Sequence, residues 1–426
     1  MSTQNAANGA SADHPMASGS LRGVRVVDLT SSVAGPFATQ ILGDLGADVV
    51  KVERVQGGDD TRRWGPPFWG EADESPMFLS LNRTKRSLAL DLKDPEGQEV
   101  FARLVDRCDV LVQNLRPGVL DKLGFTYERM RETNPRLVYC DMSGYGPVGP
   151  LKDRPAYDPL MQAFSGLMSI TGEEGRPPVR IPASILDQGT AMWTVIGVLD
   201  ALRTRDATGR GTCVQTSLLQ TALMWLPFHL SGFMASGDLP QRLGSGTIGI
   251  APYQAFPTAD GYLILAAGND NLWRNLCKSI DRPDLVDDPR FVDNPSRVSN
   301  RAVLADELSE ALRARTSAQW QEVLEQAGVP ATPIHTLDQV VQHEQVQALD
   351  MLRQMPHPRI PDYTVVNTPI RTADGYPGTS TVPPLLGEHS EQVLDELGYA
   401  REEVDRLRER AVVGGAGAEK TKENGI

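Results

Sequence analysis

The sequence predicts an open, mostly parallel α/β sheet with helices on both faces, followed by a smaller α+β domain. Three observations predict it. Short Val-rich apolar runs alternate with helix-period segments from residue 24 to about 235. Beyond residue 236 that alternation gives way to a Gly-rich stretch, a hairpin pattern and three helical patterns. The length of 426 residues exceeds one simple domain and suggests two.

The first unit of the pattern is LRGVRVVDLTSSVAGPFATQILGDLGADVVKVER at 21–54. Val24, Val26 and Val27 make an apolar run ending at Asp28. Phe37, Ile41, Leu42 and Leu45 then recur at helical spacing, Gly46 stops the helix, and Val49, Val50 and Val52 restart an apolar run. This is strand, loop, helix, strand, the βαβ unit of a parallel sheet. Pro36 suits a first helical position, and the N–H groups of that helix start favour an anion. The turn T-S-S-V-A-G-P has one glycine, so it lacks the three-glycine spacing that brings a dinucleotide pyrophosphate onto the backbone.

The alternation continues with strands over 87–92, 110–113, 137–142 and 213–216. Helices are expected over 96–107, 120–132, 157–168, 188–205 and 218–235. Ala255 to Ala267 carries the turn Thr258-Ala259-Asp260-Gly261 and reads as a hairpin. Helices follow over 271–280, 301–313 and 317–326, then a Pro-rich extended stretch over 346–384, then helices over 390–397 and 401–410. The domains expected are therefore a tail at 1–20, a large domain at 21–235 and a connector or lid loop at 236–250. A small domain at 251–345, a return segment at 346–412 and a second loose tail at 413–426 complete the chain.

The net charge of −13 argues against nucleic acid, whose recognition usually needs a basic face. It leaves room for a polyanionic ligand held by a local cluster of Arg and Lys. Cys108, Cys140, Cys213 and Cys277 form no CxxC pair, so free buried thiols are expected, with neither a disulfide framework nor a zinc site. None of the six histidines falls in a metal-binding or Ser/His/Asp pattern; His229 reads as a core residue and His389 as structural. Residues 1–20 lack the charged and apolar regions of a secretory signal, and no apolar run reaches the length of a membrane span. A cytoplasmic location is the expectation.

Six stretches in order carry a resemblance that runs from about residue 20 to about 412. They are the 21–54 unit, TKRSLALDLKDPEG (84–97), DVLVQNLRPGVLDKLG (109–124), YDPLMQAFSGLMSITG (157–172), PPVRIPASILDQG (177–189) and PLLGEHSEQVLDELG (384–398). Together they resemble the class III CoA-transferases, the formyl-CoA and carnitine CoA-transferase type also called the CaiB/BaiF family. The resemblance implies a Rossmann-like large domain to which the C-terminal segment returns, and two chains threaded through each other as an interlocked homodimer. It implies acyl-CoA and a small carboxylic acid as substrates, with no metal and no redox cofactor.

By position alone Asp187 is an N-cap directly before a long helix, and such an aspartate is usually structural. The resemblance places it where the family carries the aspartate that becomes acylated. N–H groups at that helix start are expected to hold it ionised, and Gln188 and Gly189 to admit the acyl group and donate to an oxyanion. For CoA, the resemblance implies contacts from Ser32, Arg54, Leu90 (an apolar wall for adenine), Asn114, Leu115, Arg116, Lys122, Leu123 and Tyr157. Lys85 and Arg86 are weaker candidates of the same kind, or simply exposed. Val33 stands where formyl-CoA transferase has a glutamine important for its small substrate, which favours a larger or less polar acid. The tetraglycine lid of that enzyme is missing. Gly244 and Gly246 are its possible counterpart, or part of an ordinary connector.

Two other readings stand beside CoA transfer. A racemase of the α-methylacyl-CoA type needs a histidine after the 137–142 strand, and the stretch from Gly144 to Tyr157 has none. A non-catalytic acyl-CoA binding subunit needs neither the Asp187 motif nor a lid.

Overall fold

A computed structural model describes residues 19–70, 73–373, 375 and 381–415. The readings of 1–18 and 416–426 as tails lie outside the described residues. Twelve strands occur among them: β1 (Arg25–Leu29), β2 (Asp48–Glu53), β3 (Lys85–Leu90), β4 (Val110–Gln113), β5 (Val138–Ser143), β6 (Cys213–Ser217), β7 (Tyr253–Pro257), β8 (Tyr262–Ala266), β9 (Ala331–Pro333), β10 (Leu352–Gln354), β11 (Thr364–Val366) and β12 (Val413–Gly414). The chain divides into two compact units. One comprises the described residues up to 161, 182–225 and 349 onward; the other comprises 162–181 and 226–348.

The first unit is built on a seven-stranded sheet of order β12-β3-β2-β1-β4-β5-β6. β1 to β6 pair in parallel, and β12 is antiparallel to β3, with Val413 opposite Leu90. The expected loose tail from 413 therefore begins with two sheet residues. The period-two alternation of β1 sends Val26 to one face and Val27 to the other. On the Val27 side the core contains Leu88, Phe101 and Leu104, with Leu394, Leu397 and Leu407 from the C-terminal helices Ser390–Leu397 and Arg401–Glu409. On the Val26 side it contains Val112 of β4, with Leu42, Val195 and Val198 from the helices Ala34–Asp44 and Ile185–Thr208. Helices on both faces explain why the strands read as near-continuous apolar runs.

The second unit holds the antiparallel hairpin β7–β8, with β9 added beside β8. Trp273, Phe291, Leu308 and Trp320 fill its core.

Three expected helices are split. Pro227 opens a new helix, so 218–235 becomes Leu218–Met224 and Pro227–Ser236. Gly124 and Gly166 adopt left-handed backbone, at φ 81° and 87°, and divide 120–132 and 157–168. The stretch read as extended, 346–384, contains the β10–β11 hairpin, anchored where the buried Tyr363 hydroxyl donates to Leu79 O at 3.0 Å.

Candidate active site

The strand order reverses between β1 and β4: β2 and β3 lie to one side, β5 and β6 to the other. Open α/β sheets bind ligands in the crevice beyond the carboxyl ends of strands at such a point. Here the two flanking loops are bridged. Ser31 N–H donates to Asn114 Oδ1 and Asn114 Nδ2 donates to Ser31 O, both at 2.9 Å. Next to it, Ser32 adopts φ 66°, a strained left-handed backbone for a residue with a Cβ, and its N–H reaches Asp59 at 3.3 Å. Leu115 N–H donates to Gln113 Oε1 at 2.9 Å, which fixes the course of the β4 loop.

The helix Ile185–Thr208 precedes β6 and packs beside Ala34–Asp44, so it runs back along the sheet from the same carboxyl edge. Asp187 sits in its first turn. It is not the N-cap. That position belongs to Ser184, whose side chain makes no capping bond. The N–H groups of the helix start are all engaged: Ile185 with Ala183 O, Gln188 with Ser184 O, and Leu186 and Asp187 with Asp158 Oδ2 at 2.7 and 3.2 Å. The expected stabilisation of an ionised Asp187 by free N–H groups therefore fails, because all four are engaged, two of them by Asp158. Burial first, and then the Asp158 charge, push the Asp187 carboxyl up to about 7.

Asp158, which accepts from the N–H groups of Leu186 and Asp187, is a site neighbour that sequence reasoning missed. It is 2 % exposed and opens the helix Asp158–Phe164. Its signal was a carboxylate directly before Pro159, a strong helix-start pair overlooked beside Tyr157.

Gln188 is exposed with its N–H already donated, so only its side chain is available to a ligand. Gly189 faces the protein: a Cβ there would lie 2.6 Å from the Trp225 ring and 2.9 Å from Thr221 Cγ2. Its small size serves helix packing, and Gly189→Ala should lower stability by about 1–3 kcal/mol, read as a lower Tm at unchanged pH.

Among the expected CoA contacts, Arg116 and Lys122 are exposed, and Leu123 and Leu115 are half-buried. Tyr157 is 60 % exposed beside Asp158. Arg54, just past β2, donates to Gly58 O at 2.8 and 3.0 Å and pairs with Asp60. Leu90 is 2 % exposed and packed in the core between β3 and β12, so it offers no wall to a ligand. Val33 is 7 % exposed and is the N-cap of Ala34–Asp44, so it offers little surface to a substrate. Lys85 and Arg86 are not surface cations: Lys85 is 2 % exposed against Asp28, and Arg86 is bound by Asp48 and Glu396.

Gly244 and Gly246 belong to the second unit, and their loop is tied down. Gly244 N–H donates to Gly172 O at 2.8 Å, Ser245 Oγ accepts from Ala255 N–H at 2.9 Å, and Arg301 donates to Thr247 O and Ile250 O at 2.8 and 3.0 Å. Asn294 Nδ2 donates to Gly249 O at 2.9 Å. The ordinary-connector reading of the glycines accounts for these contacts.

All four cysteines are free, and no cluster of three or more potential metal ligands occurs among the described residues. Among the same residues no helix is long and apolar enough to cross a membrane.

Residues 21–390 match the sequence model of CoA-transferase family III. A human succinyl-CoA:glutarate CoA-transferase is 38 % identical over 394 residues, spanning 92 % of this chain and 90 % of that protein. A succinyl-CoA:mesaconate CoA-transferase of Haloarcula marismortui is 36 % identical over 388 residues, 89 % of this chain and 97 % of that protein. The crystal structure of a CaiB/BaiF family protein from Brucella suis superposes with a TM-score of 0.81 at 38 % identity, covering 89 % of this chain and 99 % of that one. The chain thus belongs to CoA-transferase family III, the CaiB/BaiF family, and is a CoA-transferase.

Proposed function

We propose that the chain moves CoA from an acyl-CoA to a free dicarboxylic acid through covalent intermediates on Asp187. The observation that carries this reading is the half-buried Asp187 carboxylate in a helix first turn at the carboxyl edge of the sheet, with its pKa raised to about 7. A carboxylate of raised basicity is a better nucleophile and is still substantially ionised near neutral pH. Its oxygen attacks the thioester carbonyl, the C–S bond breaks, and a mixed anhydride and CoA thiolate result. The thiolate attacks the aspartyl carbonyl of the anhydride, giving an aspartyl-CoA thioester and releasing the first acid. The incoming carboxylate attacks that thioester, again forming an anhydride and thiolate. The thiolate then attacks the new acyl carbonyl and leaves the second acyl-CoA and free Asp187. Atoms and charge balance without metal or redox chemistry.

In this reading the Ser31–Asn114 crevice takes CoA, with Arg116, Lys122 and Arg54 as the phosphate partners. Changing Arg116→Ala or Lys122→Ala should raise the KM for acyl-CoA by about ten- to a hundredfold, the equivalent of roughly 1.5–3 kcal/mol, with less effect on the acid. Steady-state kinetics with each substrate varied in turn checks this.

The dicarboxylate assignment rests on the names of the relatives, which act on glutarate and mesaconate with succinyl-CoA as donor. A homodimer is part of the proposal. Met192, Trp193 and Ile196 on the long helix and Leu223, Met224 and Trp225 after β6 expose apolar surface of the kind that subunit contacts cover. The site lies in a cytoplasmic enzyme in this reading.

The test is a panel of free carboxylic acids offered with succinyl-CoA and followed by mass. Glutarate or another dicarboxylate should become the CoA ester while α-protons of the donor stay in place. Exchange of α-protons without acid exchange would replace the reading with a racemase; neither would replace it with a binding subunit.

A further inference from the structure

Beneath the crevice loop lies a group of four charges that the transfer chemistry does not use. Lys51 of β2 and Lys85 of β3 have side chains with 0 % exposure, as does Asp28 of β1, and Asp59 has 1 %. Two buried lysines paired with two buried aspartates are expensive to desolvate and weak as a source of stability, which asks what else they do. Their remaining bonds answer it. Lys51 Nζ lies 3.0 Å from Asp59 Oδ2 and donates to Thr30 O at 2.8 Å. Lys85 Nζ donates to Asp28 Oδ2 at 2.9 Å, to Pro36 O at 2.8 Å and to Asn82 Oδ1 at 2.9 Å. Asp28 also accepts from Thr30 N–H at 3.0 Å, from the Thr30 hydroxyl at 2.5 Å and from Thr39 Oγ1 at 2.8 Å. Asp59 accepts from the N–H of the strained Ser32.

The two ammonium groups therefore grip the segment 30–36 at its two ends, Thr30 O and Pro36 O, and the two carboxylates hold it at Thr30 and Ser32. Between those points lie Ser31, bridged to Asn114, and the start of the helix Ala34–Asp44. We propose that Lys51 and Lys85, with Asp28 and Asp59, are positioning residues that hold loop 30–36 in its ligand-binding conformation. This rests on the reading of that loop and Asn114–Arg116 as the CoA crevice. The segment contains a left-handed Ser32, a conformation that persists only where surrounding contacts over-determine it, and the buried quartet supplies those contacts. Preorganisation of this kind lowers the cost of ordering the loop on binding.

Lys85 also makes the device sensitive to pH. Asp28 of β1, Lys51 of β2 and Asp59 after β2 are the charged groups acting on it, and burial pulls its ammonium down to about 8. A lysine ammonium in water titrates near about 10.4, roughly two units higher. Raising pH through about 8 removes the Lys85 charge, leaves Asp28 with Lys51 at 3.9 Å, and loosens the grip at Pro36.

Calorimetric titration with desulfo-CoA, which has no thiol to ionise, tests the inference. For the unaltered protein, affinity should fall at least about fivefold between pH about 7 and about 9.5. The double variant Asp28→Asn/Lys85→Met, which removes both charges of one pair together, should bind at least about fivefold more weakly at pH 7 and lose that pH dependence. In turnover, the loss should appear in the acyl-CoA KM more than in kcat. A flat affinity profile for the unaltered protein overturns the inference, and this arm needs no variant to fold. A folded double variant with unaltered affinity and pH profile overturns it as well. Arg116→Ala separates the two levels. If it weakens desulfo-CoA and the double variant does not, the positioning inference alone fails; if Arg116→Ala changes nothing, the crevice reading itself fails.

Discussion

Asp187→Ala should abolish CoA transfer, lowering kcat by at least about a thousandfold, or roughly 4 kcal/mol in barrier. The loss is large because in the proposed mechanism the side chain supplies the bond-forming atom, and the neighbouring Asp158 cannot take its place, being 2 % exposed and committed to the N–H groups of Leu186 and Asp187. Affinity for CoA should remain near normal, since the proposed phosphate partners Arg54, Arg116 and Lys122 lie on other segments. The variant should also be more stable than the parent above neutral pH. The Asp187 pKa is raised in the fold, to about 7 from the ordinary 3.8. Its contribution to stability is therefore fully present below the ordinary value and is lost as pH rises through about 7. Removing the carboxylate should recover about 1–3 kcal/mol at pH about 8 and nothing at pH about 4. Turnover within about tenfold of the parent, about 1.4 kcal/mol, or equal Tm at both pH values, would contradict this assignment.

Asp158 should show the second large effect, and its two substitutions should differ. Asp158→Ala leaves the Leu186 and Asp187 N–H groups without their acceptor at a helix start, which should destabilise the protein by about 2–3 kcal/mol. Asp158→Asn keeps an oxygen for those groups and removes the charge. Since that charge is the second cause of the raised Asp187 pKa after burial, the acid limb of the pH–kcat/KM profile should move to lower pH. Thermal denaturation of the Ala variant and the pH profile of the Asn variant measure the two roles independently. An unmoved acid limb in a folded Asn variant would show that burial alone sets the Asp187 pKa.

The contrast between legible and illegible features follows the reach of each interaction. The β1–helix–β2 unit was readable because its signals are local: Val26 and Val27, the helical spacing of Phe37 to Leu45, and Gly46 as the stop. The strand β4 and the helices Ser317–Gln326 and Ser390–Leu397 were bounded correctly for the same reason. Charged residues misled because their partners are remote in sequence. Lys85 meets Asp28 across 57 positions and Arg86 meets Glu396 across 310, and nothing local marks either as buried. Asp187 was misplaced by a few residues for a related reason. An aspartate before an apolar helix is a strong N-cap signal, yet the acceptor for that helix start comes from Asp158, 28 and 29 positions earlier. Gly189 carried no cue to its neighbour: it and Trp225 are brought together only when the helix after β6 packs on the long helix.

The most direct test of the central claim is the mass of the peptide containing Asp187 after incubation with succinyl-CoA and no acceptor acid. The account predicts a substrate-dependent addition of CoA on that peptide, reducible by borohydride to an alcohol at Asp187, and hydroxamate formation at the same residue when hydroxylamine is present with acyl-CoA. The Ala variant should show neither. Acid exchange at the normal rate with no mass change on any peptide would contradict the covalent mechanism and leave direct transfer between bound acids in its place.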